Sequence, residues 1–230
     1  GYTPHNGNGG CNYKRVDNYG NTASKVVDVG SVLGDDGRLN FDKGDVIDAG
    51  RDVPYLIKST ISCEGWRLIN DCCKNKNLTF SPEFLRAEHW GTDIMNNKDW
   101  YLGGKDTHFW ADLFVNALGR INVKVAQPEE LIIAKQLRNS FLAMKVTYFN
   151  QAYDFCKAQG VDFEEVRKVV TDDTRIGDSH SVVTADRGYG GHCFPKDTLA
   201  TIRSAQVSGA NMTLLEESDI YNRKVRNDKI

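Results

Sequence analysis

Several kinds of segment are missing from this chain of 230 residues. No stretch approaches the roughly 18 consecutive apolar residues that a membrane-spanning helix needs. The formal net charge of −2 gives no basic field for nucleic acid or an anionic membrane to recognise. The first residues, Gly1–Asn6, have neither the basic nor the apolar region of a signal peptide. We therefore predict a cytoplasmic protein that binds neither nucleic acid nor membranes.

Cysteine is present, but it is not arranged for disulfides or for zinc. The six cysteines occur in unlike surroundings, at Cys11, Cys63, Cys72, Cys73, Cys156 and Cys193. Disulfide frameworks belong mainly to small secreted domains. The spacing of Cys63, Cys72 and Cys73 matches no zinc finger, and no paired histidine follows. We predict reduced thiols and no metal site.

Strand and helix patterns alternate between residues 53 and 125. The patterns predict strands at 53–60, 78–80, 100–102 and 122–125, and helices at 66–75 and 107–118. Residues 1–50 are rich in Gly, Asn and Asp, which predicts an irregular loop with a short helix around Ala23–Val29. The alternation is typical of a parallel α/β sheet, where ligands bind beyond the carboxyl ends of strands. Thr60 and Glu83 follow two of these predicted strands.

A different composition begins at Pro128. A proline in the first turn, followed by Glu129 and Glu130, favours a helix start, and Gly160 favours its end. The segment is apolar on most of its circumference, so it needs cover on nearly all sides. We predict two domains, residues 1–127 and 128–230, and a homodimer formed through the helix at 129–160. Further helices are predicted at 163–170 and from about Lys196.

The most informative run is GYGGHCFPKD at residues 188–197. Its glycines allow a tight bend and a close approach of the backbone to a ligand. Cys193 precedes the helix predicted from Lys196, and the helix dipole and the Lys196 charge both favour the thiolate. Asp197, four positions on, can transfer protons. The alternative interpretation is a buried, unreactive cysteine in a tight turn.

Lys135 and Asn139 form a second signal. They are four positions apart in the predicted helix, so they share one face. In a helix that is otherwise almost wholly apolar, a buried ammonium has to pair, lower its pKa or bind an anion. The alternative is an ion pair within the protein that has no role in chemistry.

Together these segments resemble the UDP-glucose/GDP-mannose dehydrogenase family. The matches, in the family's order and near its spacing, are Thr3-Pro4, Lys58-Ser59-Thr60, Pro82-Glu83-Phe84-Leu85-Arg86, Lys135 and Asn139 with Phe141-Leu142-Ala143, Arg175-Ile176-Gly177, and Gly188 to Asp197. The resemblance implies the end of a Rossmann-like parallel sheet, as a partial NAD-binding domain over 1–127. A long central helix and a helical dimerisation domain would follow over 128–230.

The resemblance also implies a reaction, the NAD-dependent oxidation of the C6 alcohol of a nucleotide sugar, UDP-glucose before others, to a carboxylate. Cys193 would form a thiohemiacetal and then a thioester. Lys135 would stabilise the oxyanion, and Asn139 would position it. Asp197 and Thr60 would hold water or transfer protons, and Glu83 would be the base for thioester hydrolysis.

Binding residues are implied in the same way. Contacts to the sugar nucleotide would come from Phe84, Leu85, Arg86, Gly188, Tyr189 and Gly190, with Arg175 reaching into the neighbouring subunit's site. Contacts to NAD would come from Thr3, Pro4, Ser59, Thr60, Glu88 and Lys196.

The sequence also departs from the family's pattern. No G-x-G-x-x-G loop occurs, and the chain stops where a carboxy-terminal nucleotide-binding domain would begin, so we expect it to lack both. Ala87 intervenes before Glu88, His89 replaces a glycine, and Gln151 replaces a glutamate. Two alternatives therefore stay open, a two-electron hydroxyacid dehydrogenase relative that shares the Lys-and-Asn helix, and a non-catalytic dimerisation remnant.

Overall fold

The computed structural model describes residues 25–27, 54–72, 77–85, 89–191 and 193–226. The chain divides into two compact units, Gly1–Lys135 and Gln136–Ile230. This division falls within the long helix α4 (Pro128–Gln159) and not at its beginning. The domain boundary predicted between residues 127 and 128 stays a prediction.

The described residues of the first unit form a five-stranded sheet in the order β1-β2-β3-β4-β5. The strands are β1 (Lys25–Val27), β2 (Pro54–Ile57), β3 (Asn77–Phe80), β4 (Asp99–Gly104) and β5 (Asn122–Val125). Strands β1, β2 and β3 are parallel, as are β4 and β5, but β3 and β4 are antiparallel. The α/β class is confirmed, with a sheet that is mixed and not wholly parallel.

Strand β1 replaces the short helix predicted around Ala23–Val29. Residues Lys25–Val27 pair in parallel with Tyr55–Ile57, so the predicted helix is wrong there. Two of the three residues are valines, and β-branched side chains favour strands. Their pairing partner lies thirty positions away, which a local pattern does not reveal.

The helices of the first unit are α1 (Cys63–Cys72), α2 (Trp90–Asn96) and α3 (Thr107–Leu118). Helix α1 begins three residues before the predicted start because Ser62 caps it, with the Gly65 N–H donating to Ser62 Oγ at 3.0 Å. Helix α3 has the predicted limits and ends before Gly119, where φ is +81°. Helix α2 was not predicted, and it contains no buried residue.

Separate hydrophobic clusters cover the two faces of strand β2. Tyr55 and Ile57 pack on one face with a cluster that includes Trp66 and Phe80, while Leu56 packs on the other with Leu102 and Trp110. Side chains alternate between faces along a strand, so β2 is buried on both sides. This burial fixes the carboxyl end of β2, where Ser59 and Thr60 follow.

The helices of the second unit follow the end of α4, and they are α5 (Phe163–Thr171), α6 (Cys193–Val207) and α7 (Thr213–Val225). The predicted end of α4 is confirmed, because Gly160 has φ +69° and donates to Lys157 O while Val161 N donates to Cys156 O. Helix α6 begins at Cys193, three residues earlier than predicted. Over the described ranges, no helix is long and apolar enough to cross a membrane.

A substitution at Gly104 can test the close contact between strands β3 and β4. Its φ is +107°, and a Cβ there would lie 2.5 Å from the Leu78 carbonyl oxygen. We expect Gly104→Ala to lower the free energy of unfolding by roughly 3 kcal/mol, because backbone has to move. Gly160→Ala is the matched control, since φ is +69° at the end of α4 but no atom lies within 4 Å of its Cβ. The control should lose only about 1 kcal/mol in urea titrations. Equal losses in the two variants would contradict this account.

Candidate active site

Cys193 is the first residue of α6, and its side chain is exposed. Asp197 lies one turn later on the same helix, so the thiol and the carboxylate are on one face. The Asp197 side chain is only 1 % exposed. The alternative of a buried thiol in a tight turn is therefore wrong, because the Cys193 thiol is exposed.

The Asp197 carboxylate is held by two polar side chains. Asn139 Nδ2, on α4, donates to Asp197 Oδ2 at 2.5 Å, and Lys196 Nζ lies 3.1 Å from Asp197 Oδ1. A buried carboxylate is costly unless it is paired in this way. The Lys196 contact satisfies the distance for an ion pair but not hydrogen-bond alignment, so Oδ1 has no aligned donor among the described residues. Oδ1 is itself buried, and the Lys196 ammonium compensates its charge.

The turn before α6 is fixed by two buried amides. Asn222 Oδ1 accepts from Tyr189 N at 2.6 Å, and Asn222 Nδ2 donates to Tyr189 O at 3.0 Å. Asn150 Oδ1 accepts from Gly188 N at 2.9 Å. A Cβ at Gly188 would lie 2.2 Å from Asn222 Oδ1, and one at Gly190 would lie 2.2 Å from Arg226 Nη1. At Gly188, where φ is +53°, the conformation itself favours glycine. At Gly190 a side chain would displace the flexible Arg226 guanidinium.

The Tyr189 side chain is used inside the second unit. It is 2 % exposed, and its hydroxyl donates to Asp219 Oδ1 at 3.0 Å. Burial, together with the Asp219 charge, raises the pKa of Tyr189 well above its ordinary value, so the phenol stays neutral. The buried side chain is not available to a substrate. The predicted substrate contact at Tyr189 would therefore involve its backbone, and it stays a prediction.

Arg175 lies on an exposed loop that is hydrogen-bonded to helix α4. Lys145 Nζ donates to the carbonyl oxygens of Ile176 and Gly177 at 2.7 and 2.8 Å. The Arg175 side chain is 88 % exposed and pairs with Asp173 at 2.5 Å. Its guanidinium is therefore presented at the surface of the second unit.

The remaining described candidates belong to the first unit. Ser59, Thr60 and Lys135 are buried, and Glu83 is exposed. Phe84 and Leu85 are half-buried, and the Phe84 ring contacts Tyr101 edge-on at a centroid distance of 6.0 Å. Thr3, Pro4, Arg86 and Glu88 lie outside the described residues, so their predicted roles stay predictions.

Lys58 is a cation at the carboxyl end of β2 to which the sequence interpretation gave no role. Its Nζ is buried without a hydrogen-bond partner in the described part of the chain, and it lies 5.3 Å from the Trp100 ring centroid. Burial lowers the pKa of the Lys58 ammonium, the Glu83 carboxylate opposes that shift, and Lys135 adds to it. Lys58, Glu83 and Lys135 therefore influence one another.

Sequence reasoning also missed Asn150, Asn222 and Arg187, which hold the glycine turn. Asn150 gave a usable signal, because it is a polar residue within a mostly apolar helix, as Asn139 is. The two are eleven positions apart, about three helical turns, and share a face. No comparable pattern marks Asn222 or Arg187.

No group of three or more His, Cys, Asp or Glu side chains that could hold a metal occurs in the described ranges.

An apolar groove runs along the exposed side of α4 in the second unit. It has a volume of about 750 Å³, and its lining includes Phe141, Tyr148 and Ile176, with Arg175 and Tyr221. Phe141 is 60 % exposed and Tyr148 is 63 % exposed. The sequence interpretation expected α4 to be buried on nearly all sides, and the described residues leave one apolar side uncovered.

Comparisons with known proteins agree on one family. Residues 130–224 match the model of the UDP-glucose/GDP-mannose dehydrogenase family, central domain. A UDP-glucose 6-dehydrogenase of Pseudomonas aeruginosa is 40 % identical over 150 residues, which cover 63 % of this chain and 32 % of that enzyme. One from Rhizobium meliloti is 39 % identical over 151 residues, which cover 62 % and 33 %. The chain spans about a third of the length of these curated relatives.

Solved structures give the same result for the fold. A UDP-glucose dehydrogenase from Pyrobaculum islandicum superposes with a TM-score of 0.74 at 26 % identity, covering 88 % of this chain and 50 % of that one. A UDP-D-ManNAc dehydrogenase from Pyrococcus horikoshii gives a TM-score of 0.66 at 17 % identity, covering 85 % and 49 %. The second similarity concerns the fold alone.

Asn222 provides a test of the turn. Asn222→Ala leaves the Tyr189 N–H and carbonyl buried without their partner, so we expect unfolding to require roughly 3 kcal/mol less free energy. Asn211→Ala is the matched control because Asn211 is exposed, and it should change stability by less than about 0.5 kcal/mol. Urea titration of both variants measures the difference. A loss in Asn222→Ala no larger than that of the control would show that the turn does not need this amide.

Proposed function

We propose that the chain belongs to the UDP-glucose/GDP-mannose dehydrogenase family, whose central-domain model matches residues 130–224. It would carry part of an NAD-dependent enzyme that oxidises the C6 alcohol of a nucleotide sugar to a carboxylate. UDP-glucose is the proposed substrate. The observation that carries the proposal is the exposed Cys193 thiol at the start of α6, one turn from the buried Asp197 that Asn139 holds.

The residues at the carboxyl end of β2 fit part of an NAD site. Ser59 and Thr60 are buried there, and the buried Lys58 Nζ beside them has no hydrogen-bond partner among the described residues. Open α/β sheets bind ligands at this edge. Ser59 and Thr60 would hold NAD, with Thr3, Pro4, Glu88 and Lys196 as further proposed contacts. When bound, NAD supplies the acceptor for a hydride in each of the two oxidations.

In the proposed mechanism, Cys193 makes the second oxidation possible. The first oxidation converts the C6 alcohol to an aldehyde. The Cys193 thiolate then adds to the aldehyde carbon, and the carbonyl oxygen becomes an oxyanion that takes a proton, giving a thiohemiacetal. Loss of a hydride from that carbon, with loss of the hydroxyl proton, gives a thioester. Attack by water breaks the carbon–sulfur bond, which releases the carboxylate and regenerates the thiol.

Further polar residues are proposed to carry the proton and charge chemistry. Lys135 would stabilise the oxyanion by charge. Asp197, which Asn139 holds, and Thr60 would each hold water or transfer a proton. Glu83 would be the base for thioester hydrolysis. Substrate contacts are proposed for Phe84, Leu85, Arg86, Arg175, Gly188, Tyr189 and Gly190.

Two other functions are less well supported. A two-electron hydroxyacid dehydrogenase forms no thioester, so it has no use for an exposed cysteine at the start of α6. A non-catalytic dimerisation remnant would not need the buried pair of Asn139 and Asp197 beside that cysteine. The covalent mechanism uses all three residues.

The proposal predicts that NADH absorbance rises when the chain is mixed with NAD and UDP-glucose. Cys193→Ser should lower acid formation by about 1000-fold or more, because the serine hydroxyl is a far weaker nucleophile. Cys63→Ser is the control, since burial raises the pKa of the half-buried Cys63 thiol. If Cys193→Ser formed the acid as fast as the unaltered chain, the covalent mechanism would be ruled out. A folded sample with a titratable Cys193 but no NADH would show that this chain alone is not the whole enzyme.

We also propose that a second copy of the chain covers the exposed face of α4. One buried face of α4 in the second unit carries small or polar residues at one helical spacing, namely Gln136, Ser140, Ala143, Thr147 and Asn150. The exposed face carries Leu137, Phe141, Tyr148 and Phe155 at a similar spacing. A row of large apolar side chains of this kind is typical of a protein interface, and pairing of two copies about a twofold axis covers both rows at once.

A charge introduced into the exposed apolar row of α4 tests the proposed dimer. Phe141→Glu places a carboxylate in the middle of the exposed row, so we expect a folded monomer by light scattering where the unaltered chain is a dimer. Lys157→Gln makes the same change in net charge at an exposed position nearly opposite Tyr148 on the helix, and it should stay dimeric. A monomeric mass for the folded, unaltered chain would refute the dimer.

A further inference from the structure

Arg187 has an unusual backbone for a residue with a side chain. Its φ is +60°, in the left-handed region, and it comes immediately before Gly188. Side chains other than Gly, Asn and Asp adopt this conformation rarely, and it persists only where the surroundings hold it. The contacts of Arg187 therefore need a physical account.

The Arg187 guanidinium is clamped onto one face of α4. Nε donates to Asn150 Oδ1 at 2.9 Å, Nη2 donates to Asp154 Oδ1 at 2.7 Å, and the guanidinium carbon lies 4.8 Å from the Tyr153 ring centroid. Residues 150, 153 and 154 are neighbours on a helix surface. The planar guanidinium presents several N–H donors in a fixed geometry that suits these acceptors. A lysine ammonium does not reproduce this geometry.

The same contacts also fix the glycine turn. Asn150 Oδ1, which accepts from the Arg187 side chain, accepts from the Gly188 N–H as well, and Asn150 is only 1 % exposed. On the other side, Arg226, the residue directly after α7, donates through Nη1 to the Arg187 carbonyl oxygen at 3.4 Å. The entry to the turn is thus tied to α4 and to α7.

A tyrosine supports the clamp from α7. The Tyr221 hydroxyl donates to Asp154 Oδ2 at 2.5 Å, while Asp154 Oδ1 accepts from Arg187. Burial, then the hydrogen bond to Asp154, raises the pKa of Tyr221 to about 12. Tyr221 therefore remains a neutral donor, and both oxygens of the Asp154 carboxylate have fixed partners.

We propose that Arg187 is a positioning residue for Cys193. Its clamp on Asn150 and Asp154 holds the glycine turn, and this turn leads directly into the first turn of α6, which carries the thiol. The consequence for catalysis rests on the proposed function, but the effect on the thiol does not.

The competing explanation is that Arg187 contributes only to stability, as a partly exposed ion pair. The two explanations can be separated because glycine adopts φ +60° without strain. Arg187→Gly removes the clamp and relieves the backbone at once, so the melting temperature should change little while the thiol becomes less reactive. A purely structural role would change the melting temperature and leave the thiol unaffected.

The experiment measures the rate at which iodoacetamide alkylates Cys193 in the full chain, followed by mass spectrometry of the peptide that contains it. Arg187→Gly should slow alkylation about three- to tenfold, because a loosened turn lets the start of α6 fray away from its reactive position. Arg187→Lys keeps the charge but not the fork, so it should recover part of the rate. Arg203→Gln is the control, because Arg203 is exposed on the same helix, and it should leave the rate unchanged.

An alkylation rate in Arg187→Gly that is unchanged or faster would overturn the proposal, as would an equal slowing in Arg203→Gln. Alkylation needs neither NAD nor sugar nucleotide. Slower alkylation in Arg187→Gly, with no oxidation by the unaltered chain, would keep this inference and reject the proposed function. If the chain does oxidise UDP-glucose, Arg187→Gly should lower kcat and leave KM for NAD unchanged, and a change confined to KM would count against positioning.

Discussion

Two buried side-chain amides, Asn150 on α4 and Asn222 on α7, are the constraint on which the candidate site depends. A glycine turn has little side-chain packing of its own, so its shape has to come from hydrogen bonds to its backbone. Asn222 satisfies both the N–H and the carbonyl of Tyr189 because an amide carries a donor and an acceptor. Asn150 accepts from Gly188. With the turn fixed between two helices, α6 can begin at Cys193 and leave its thiol exposed.

Helix α4 acts as the frame of the second unit through a series of polar side chains, each of which holds a different segment. Asn139 binds Asp197, Lys145 binds the carbonyls of the loop after Arg175, and Asn150 binds Gly188. Helix interiors offer no free backbone groups, so a helix can position loops only through side chains of this kind. The polar residues that interrupt the apolar pattern of α4 are therefore the ones that organise the site.

The sequence predicted the segments with strong local signals and missed those fixed by distant partners. The limits of α3 and the end of α4 were predictable because Gly119 and Gly160 stop the helices with positive φ. Strand β1 and the antiparallel pairing of β4 were not, since both depend on strands far along the chain. In the site, Cys193 and Asp197 stood out by their spacing, but the bond between Asn139 and Asp197 joins residues 58 positions apart. No local pattern encodes such a contact, and only the family resemblance suggested that the two residues act together.

Helix α4 in the second unit has two kinds of buried face and one exposed face. One buried face is small or polar and includes Ser140 and Asn150, and the other carries Phe149 in a hydrophobic cluster. The exposed face is aromatic, with Phe141 and Tyr148, and the described residues do not cover it. The amides on the polar side hold the segments of the candidate site, while the aromatic side is the surface that a second copy would cover. One helix therefore combines the hydrogen bonds that fix the site with the apolar row through which we propose that two copies pair.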